Sequence, residues 1–174
     1  MIDRYKKISV AIPVLDELEN IPQLIEMLRA QSVEGMRVLV CVNQPETWRS
    51  LSVDDWRRQA VDHNEATIDY LHTIKDLDIE VIDISSKGRG WTGKRQGVGY
   101  ARQVMFDRLL TESTDKGLSE LVISLDADTF IPRDYLFTLL QFFNSHTTAA
   151  CACMPYRHPL SANSALDRMM LRYE

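Results

Sequence analysis

The chain has 174 residues, a length typical of one compact domain. Hydrophobic residues make up 45% and charged residues 26%, which excludes a disordered tail, a fibrous repeat and a bundle of membrane-spanning helices. The formal charge of −5, from 20 basic against 25 acidic residues, argues against a general nucleic-acid binder, which needs a broad basic face.

Short runs rich in β-branched residues alternate along the chain with longer segments whose apolar residues recur at helical spacing. Strands are predicted over residues 8–14, 38–42, 79–84 and 121–125, with a fifth apolar run over residues 149–154. Strands that are apolar along their whole length are typical of a parallel sheet covered on both faces. The sequence therefore predicts an α/β fold, with a mostly parallel sheet and helices on both of its faces.

Helices are predicted between these strands, each with one apolar face. Ser52 and Asp55 resemble a capping box at the start of the second helix. The residues on the predicted apolar faces are Ile21, Leu24, Ile25 and Leu28; Trp56, Ala60, His63, Thr67, Tyr70 and Ile74; Val98, Ala101, Met105 and Leu109; Tyr135, Leu136, Leu139, Leu140 and Phe143; and, in a last stretch, Leu166, Met169, Met170 and Tyr173.

Polar residues stand directly after the predicted strands. In sheets of this kind, ligands bind beyond the carboxyl ends of the strands, so these residues are expected to share one site. They are Asp16 and Glu17, Asn43 and Gln44, the segment 85–94, and residues 126–128. The site is predicted to combine several acids with a glycine-rich basic loop.

Asp126 and Asp128 directly follow the fourth predicted strand and are separated by one residue. Two carboxylates at this spacing can point to one place, and their hard oxygen atoms suit Mg²⁺ or Mn²⁺ bound together with substrate phosphates. The alternative interpretation is a turn after the strand in which an Asp caps the next helix.

The glycine-rich segment over residues 88–94 fits two phosphate-binding patterns. It satisfies the G-x-G-x-x-G pattern of dinucleotide-binding folds, although it belongs to the third strand-helix unit rather than the first. It also satisfies most of the P-loop pattern, except that Arg95 stands where Ser or Thr would contact Mg²⁺. A third interpretation is a solvated loop without a ligand. In each case, backbone N–H groups and cations near Gly93 suit an anion such as a diphosphate.

Taken together, the residues after the strands resemble a family 2 glycosyltransferase with the A-type nucleotide-diphospho-sugar transferase fold. The resemblance covers nearly the whole chain. Residues 10–14 with Asp16 and Glu17 resemble the family's opening strand, whose Pro and following acid lie against the nucleotide base. Residues 90–101 are similar to its third strand-helix element, and residues 126–136 resemble its Asp-x-Asp motif and the helix that follows.

The resemblance implies a donor domain that binds a nucleotide-diphospho-sugar through Mn²⁺ or Mg²⁺ and supports inverting transfer of the sugar to an acceptor hydroxyl. Asp128 would ligate the metal, and Asp126 would contact the ribose or the metal's coordination shell. Lys94 or Arg95 would stabilise the leaving diphosphate electrostatically. The residues expected to bind the donor are Pro13, Asp16, Glu17, Asn43, Gly90, Lys94, Arg95 and Asp126.

Two departures from the family pattern narrow this expectation. Asn43 and Gln44 occupy the position of an acidic pair that commonly reads the base, which leaves the nucleobase open. Only 46 residues follow Asp128, whereas the family's general base and acceptor-binding half come well after its Asp-x-Asp motif. Residues 1–174 are therefore interpreted as a single donor-binding domain truncated at its C-terminus. The general base is expected beyond residue 174, and transfer by this chain alone is not expected.

Several alternatives stay open at this stage. The acceptor is a polysaccharide, a lipid or a protein. Two other functions are a P-loop-like nucleotide hydrolase built on residues 88–94 and a nucleotide-binding domain without catalysis. Trp91 would either stack on a base or sugar or pack against the sheet edge. His63 and His72 are expected at the surface or at its boundary.

The cysteines and the chain ends predict the compartment. Three cysteines, an odd number, exclude a disulfide framework and favour a reducing compartment, and Cys151 and Cys153 are expected on one buried strand face. Residues 1–7 are polar, and no window reaches the roughly 18 apolar residues of a membrane helix. A soluble cytoplasmic protein is predicted, with peripheral membrane association left open. The helix face that contains Met169 and Tyr173 would favour self-association.

Overall fold

The structure is a computed structural model that describes residue 5 and residues 7–93, 97–116, 119–157, 165 and 167–169. A short 3-10 helix, Glu46–Ser50, lies between the second strand and the second helix. The elements in chain order are β1 (Lys7–Val14), α1 (Ile21–Arg29), β2 (Arg37–Asn43), α2 (Trp56–Thr73), β3 (Asp78–Ile84), α3 (Val98–Lys116), β4 (Glu120–Ser124) and α4 (Tyr135–Ser145). The four predicted strands are confirmed, each within one residue of its predicted bounds.

The four strands form one sheet in the order β3-β2-β1-β4, and every neighbouring pair is parallel. Val10 in β1 is aligned with Val38 in β2 on one side and with Ile123 in β4 on the other. Parallel neighbours require crossover connections, and a helix supplies each of them here. The predicted α/β fold with a parallel sheet is confirmed, and the carboxyl ends of all four strands lie at one edge.

Side chains of β1 alternate between the two faces of the sheet, as successive residues of a strand must. Val10, Ile12 and Val14 belong to a large core that also contains residues of α1, α2 and α4. Ala11 belongs to a smaller core on the opposite face, beneath α3. Helices therefore cover both faces, which is why the central strands are apolar along their whole length.

Helix α1 has the apolar stripe that its sequence predicts. The buried residues of this helix are Ile21, Leu24, Ile25 and Leu28. Pro22 lies in the first turn, where a backbone N–H has no partner within the helix, so the missing donor costs nothing. The stripe fixes α1 on the sheet directly after the two acids that follow β1.

Helix α2 presents to the core a face that only partly coincides with the predicted one, because Tyr70 and Ile74 are partly buried against the core while Trp56 is exposed. Of the six predicted residues, Ala60 and Thr67 are buried. The prediction that Trp56 belongs to the core is wrong, because its side chain is 59% exposed and lies edge-on against Trp48. The residues of α2 that are buried are Ala60, Val61, Asn64, Thr67, Ile68 and Leu71. A buried polar residue, Asn64, lies at the centre of this face, and a search for apolar periodicity does not find such a residue.

The start of α2 also differs from its prediction. The helix begins at Trp56, and its N-cap is Asp55 rather than Ser52. The Asp55 carboxylate accepts the backbone N–H of Arg57 at 2.9 Å, which satisfies one of the free N–H groups of the first turn.

The prediction of a buried fifth strand over residues 149–154 is wrong. Residues 151–157 are exposed and form neither strand nor helix, and the thiols of Cys151 and Cys153 are free and exposed. A strand needs a hydrogen-bonding neighbour, and the four described strands do not pair with this run. Its small Ala and Cys side chains also offer little apolar area to bury.

Two further observations concern the outside of the fold. Within the last predicted helical stretch, residues 165 and 167–169 are helical and Met169 is exposed, whereas Leu166, Met170 and Tyr173 lie outside the described residues. Among the helices that the structure describes, none has the length and hydropathy needed to cross a bilayer.

A test of the core uses Leu24, which is fully buried beneath the sheet. Leu24→Ala is expected to lower the free energy of unfolding by about 2–5 kcal/mol, because it leaves a cavity in a close-packed interior. Urea denaturation followed by circular dichroism measures this change. The matched control is Val53→Ala at a side chain that is 74% exposed, where a change within about 0.5 kcal/mol is expected. Equal effects of the two substitutions would contradict the packing described here.

Candidate functional site

Two acidic segments lie side by side at the carboxyl edge of the sheet. Asp16 and Glu17 follow β1, and Asp126 and Asp128 follow β4. Strands β1 and β4 are hydrogen-bonded parallel neighbours, so their following segments leave the sheet at adjacent points. We call these four residues the acidic cluster.

Burial alternates along the segment that follows β4. Leu125 and Ala127 are buried in the large core, whereas Asp126 and Asp128 are exposed. The two apolar side chains anchor the segment to the sheet and leave both carboxylates on its open side. The Asp-x-Asp spacing therefore has the exposure that a ligand site requires, and metal binding by it stays a prediction.

Electrostatics at Glu17 show that the acids of the cluster interact. Burial is the main cause that raises the pKa of the Glu17 carboxyl above its ordinary value. A hydrogen bond of 2.6 Å from Asn20 Nδ2 opposes this rise. The negative charges of Asp128, Asp16 and Asp126 increase it. The cluster is therefore a place where ionised carboxylates repel one another and where a cation would relieve the repulsion.

Arg102 on α3 supplies a cation to the acidic cluster. Its guanidinium forms an ion pair with Asp126 and donates a hydrogen bond of 3.2 Å to Ser124 Oγ. In the described part of the chain, Asp128 forms no ion pair. Asp126 is thus held by the protein, whereas Asp128 is the carboxylate of this motif that is available to a ligand. The sequence analysis missed Arg102, because nothing in its spacing on α3 indicates the distant residue that it contacts.

The acidic cluster offers the oxygen ligands that Mg²⁺ and Mn²⁺ prefer. However, no three His, Cys, Asp or Glu side chains among the described residues converge closely enough to hold a metal ion by themselves. A cation at Asp128 would therefore need further oxygen atoms from a bound molecule. That requirement fits an ion held jointly by protein and phosphates, and it does not fit a closed structural metal site.

Asp16 has a strained backbone that α2 holds in place. Its φ of 62° lies in the left-handed region, which costs a residue with a side chain roughly 1–2 kcal/mol. The Asp16 N–H donates to Asn64 Oδ1 at 2.9 Å, and Asp16 Oδ1 lies 2.6 Å from His63 Nδ1. Two successive residues of α2 thus fix both the backbone and the carboxylate of Asp16. His63 lies at the surface boundary as predicted, but no pattern in the sequence indicates this contact.

Asn43 is buried at the end of β2, where it connects two backbone segments. Its Nδ2 donates to Val14 O at 2.8 Å, and its Oδ1 accepts the indole N–H of Trp91 at 3.1 Å. The residue is only 1% exposed. In this conformation Asn43 supports the strand ends from inside the protein, and its contact with a nucleotide stays a prediction.

Gln44 extends this buried polar structure toward α2. Its Oε1 accepts a hydrogen bond of 2.7 Å from Asn64 Nδ2, and its Nε2 donates to Ser85 O at 3.0 Å. We call Asn43, Gln44 and Asn64 the amide network. Because its hydrogen bonds lie in a low-dielectric interior, breaking one would leave a buried polar group unpaired at considerable cost.

Trp91 packs inside the protein. It is buried in the smaller core with Ala101 and Met105, and its ring centroid lies 4.7 Å from that of Tyr100. Of the two predicted roles, the structure shows packing against the sheet rather than an exposed stacking surface.

The glycine-rich loop binds a side chain of the protein itself. Glu46 Oε1 accepts the Gly88 N–H at 3.0 Å, and Glu46 Oε2 accepts the Gly90 N–H at 2.9 Å. These two hydrogen bonds lower the pKa of the Glu46 carboxyl. The contact is so close that a Cβ atom at Gly90 would lie 2.7 Å from the Glu46 Cα. Two N–H groups that were candidates for phosphate binding are therefore already paired, and the geometry gives no support to the nucleotide-hydrolase alternative.

Pro13 lies in β1, a central strand, where a residue without an N–H donor is unusual. The Leu125 N–H donates to Ala11 O at 3.1 Å, so odd-numbered residues of β1 direct their backbone groups toward β4. The ladder between β1 and β4 ends at Ala11, and Pro13 therefore lies past the point where its N–H would be needed. It is aligned with Cys41 of β2 at the edge that carries the acidic cluster.

Apart from Pro13, the predicted site residues thus fall into three groups. Asp16, Glu17, Asp126 and Asp128 come together at one edge of the sheet. Asn43 and Gly90 are engaged in contacts inside the protein. Lys94 and Arg95 lie outside the described residues, so their predicted contacts with a diphosphate stay predictions.

Comparison with known proteins gives a likeness to a solved structure. No protein-family model and no curated protein matches the sequence. The chain is similar in structure to S. aureus TarS residues 1–349, with a TM-score of 0.49 and 19% sequence identity. The match covers 81% of this chain and 33% of that chain, so the present chain spans about a third of the solved one.

The raised pKa of Glu17 leads to a stability prediction. Because its carboxyl is protonated more readily in the folded than in the unfolded protein, its ionisation should destabilise the fold as pH rises above the ordinary value of 4.5. Glu17→Gln removes that charge and is expected to raise the free energy of unfolding at neutral pH, with the gain vanishing in acid. Urea denaturation across this pH range measures it. Glu19→Gln, at an exposed glutamate on the same loop, should show no such gain. A less stable Glu17→Gln variant at neutral pH would contradict the electrostatic account.

The lowered pKa of Glu46 predicts the opposite pH dependence. Its ionised form is bound by two N–H groups, so its contribution to stability should be present above the ordinary value of 4.5 and lost as pH falls through the lowered native pKa. Glu46→Gln is expected to destabilise the protein at neutral pH, because an amide cannot accept both N–H groups. The difference from the wild-type free energy of unfolding should shrink in acid. A constant difference at every pH would show that packing, and not the charge, explains the effect.

Proposed function

We propose that this chain is the donor-binding domain of a metal-dependent, family 2 glycosyltransferase, which binds a nucleotide-diphospho-sugar at the carboxyl edge of its sheet. The observation that supports the proposal most strongly is the acidic cluster, in which acids from two neighbouring strands repel one another. Repelling carboxylates at the open end of a parallel sheet have no evident value for folding. They are typical of a site whose ligand supplies the opposite charge.

Asp128 is proposed as the principal ligand of Mn²⁺ or Mg²⁺, and Asp126 as a contact of the metal's coordination shell or of the ribose. Asp128 is exposed, and its charge contributes to the repulsion felt by Glu17. Asp126 is paired with Arg102, so it would contact the cation's outer shell or the ribose while it keeps that arginine in place. The bound cation would offset the negative charge that develops on the leaving diphosphate, which is Lewis-acid chemistry.

The remaining residues of the site are proposed to position the donor. Asp16 and Glu17 extend from the end of β1 beside Pro13, where the base and ribose would lie. Lys94 or Arg95 would interact with the diphosphate. Transfer would proceed with inversion to an acceptor hydroxyl activated by a general base, and no residue is proposed here as that base. The acceptor class, polysaccharide, lipid or protein, is not assigned.

Titration calorimetry tests the proposed site directly. UDP, GDP, dTDP and ATP are each titrated, with and without Mn²⁺, against the wild-type chain and Asp128→Asn. We expect one nucleoside diphosphate to bind in a metal-dependent manner, and Asp128→Asn to weaken this binding by about tenfold or more, because a charged ligand of the cation is lost. The matched control is Asp69→Asn at an exposed position on α2, which should leave the dissociation constant unchanged.

Two results would overturn the proposal. One is the absence of metal-dependent binding for all four nucleotides by a chain that circular dichroism shows to be folded. The other is metal-independent binding of ATP that Asp128→Asn does not alter, which would point to the glycine-rich loop instead.

A further inference from the structure

The contact between His63 and Asp16 lies outside the core and is not needed for its packing. Both side chains are partly exposed at the carboxyl edge of the sheet, and His63 Nδ1 lies 2.6 Å from Asp16 Oδ1. The adjacent residue of α2, Asn64, binds the backbone N–H of Asp16 and is itself completely buried. Asn64 alone could therefore hold the left-handed backbone of Asp16. The additional contact from His63 acts on the carboxylate, which is the part of Asp16 that a ligand could meet.

This hydrogen bond determines which atoms of His63 and Asp16 remain as acceptors for a ligand. A carboxylate oxygen accepts hydrogen bonds, so His63 Nδ1 is the donor. In the neutral ring, the other nitrogen, Nε2, then carries the lone pair and is an acceptor. The second oxygen of Asp16 is an acceptor as well. The pair therefore suits a group that presents N–H donors, as the hydrogen-bonding edges of nucleobases do.

The two amide side chains at the end of β2 are already hydrogen-bonded within the protein. Asn43 and Gln44, which follow β2, are buried, and their amide groups are paired with backbone and with other side chains. We therefore expect residues after β1 to form the hydrogen bonds that recognise the base. Within that segment, Asp16 is the acid whose backbone and carboxylate are both fixed by a helix.

We propose that His63 is a positioning residue that sets nucleobase selectivity by fixing the carboxylate of Asp16. The inference rests on the proposed nucleotide-sugar site and assigns to it a residue on α2. A carboxylate fixed in one orientation discriminates among donor patterns, whereas a rotating one adapts to several. Loss of His63 should therefore change which bases bind, while the part of the site that holds the diphosphate is left intact.

The test compares His63→Leu, which removes the donor, with His63→Asn, whose Nδ2 takes the place of the imidazole Nδ1. His72→Leu, at an exposed histidine on the same helix, is the matched control. Each protein is titrated with the four nucleotides and with inorganic pyrophosphate, all in the presence of Mn²⁺. Pyrophosphate has no base, so it reports the diphosphate and metal part of the site alone. Thermal denaturation confirms that each variant is folded.

We expect His63→Leu to weaken binding of the preferred nucleoside diphosphate by about tenfold, the effect of losing a hydrogen bond to a charged group. The differences in its affinity for the four nucleotides should become smaller. Its affinity for pyrophosphate should not change. His63→Asn should restore most of the wild-type selectivity, and His72→Leu should match the wild-type chain.

The outcomes separate this inference from the function on which it rests. The proposed role of His63 would be overturned if His63→Leu lost equal affinity for the nucleotide and for pyrophosphate, or if its preference among the bases did not change. Metal-dependent binding by the wild-type chain would still support the donor site in either case. If the wild-type chain binds none of the nucleotides, the proposed function fails and this inference fails with it.

Discussion

The site depends on the parallel pairing of β1 with β4. Two strands that run in the same direction end at the same edge, so residues that are far apart in the sequence become neighbours in space. The charges of Glu17 and Asp128 interact for this reason, although three strands and three α-helices lie between them along the chain. The repulsion between such acids lowers stability, and the fully buried residues of β1 and α1 beneath them offset that loss.

The two sides of this edge differ in how well their polar groups are satisfied. Behind the strand ends, the amide network pairs its side chains with one another and with backbone groups. On the solvent-facing side of the strand ends, Glu17 has a raised pKa and Asp16 has a left-handed backbone. A rigid support next to strained and mutually repelling groups is the arrangement expected when the solvent-facing side binds a ligand that compensates for the strain.

The sequence predicts the parts of this structure that follow from local patterns. The four strands and the stripe of α1 repeat at regular spacing, and Asp126 and Asp128 follow a strand directly, so their exposure could be anticipated. The face of α2 could not, because Asn64 is a polar residue whose burial depends on Gln44 in another element. Periodicity measures hydrophobicity and contains no information on such a pair.

Contacts between distant residues account for the other differences. Glu46 occupies the N–H groups of Gly88 and Gly90, and nothing in the glycine-rich pattern indicates that a carboxylate from another segment lies there. The same is true of Arg102 at Asp126. The contacts of Glu46 depend on how the loops after β2 and β3 lie against each other, and the contact of Arg102 depends on how α3 lies beside the end of β4. No local pattern encodes either arrangement. The buried fifth strand failed for a related reason, since a strand exists only with a neighbour.

The contact between Gly90 and Glu46 has a consequence for how such sequences evolve. A side chain at position 90 would collide with the backbone of the 3-10 helix after β2, whatever the loop binds. Selection for folding alone is then sufficient to keep a glycine there, and its retention in descendants of this chain would carry no information on phosphate binding. Asp128 is the opposite case, since its side chain is exposed and its negative charge repels that of Glu17. Drift would replace it readily in a lineage in which the proposed site had no ligand, so its loss or survival would indicate whether that site was in use.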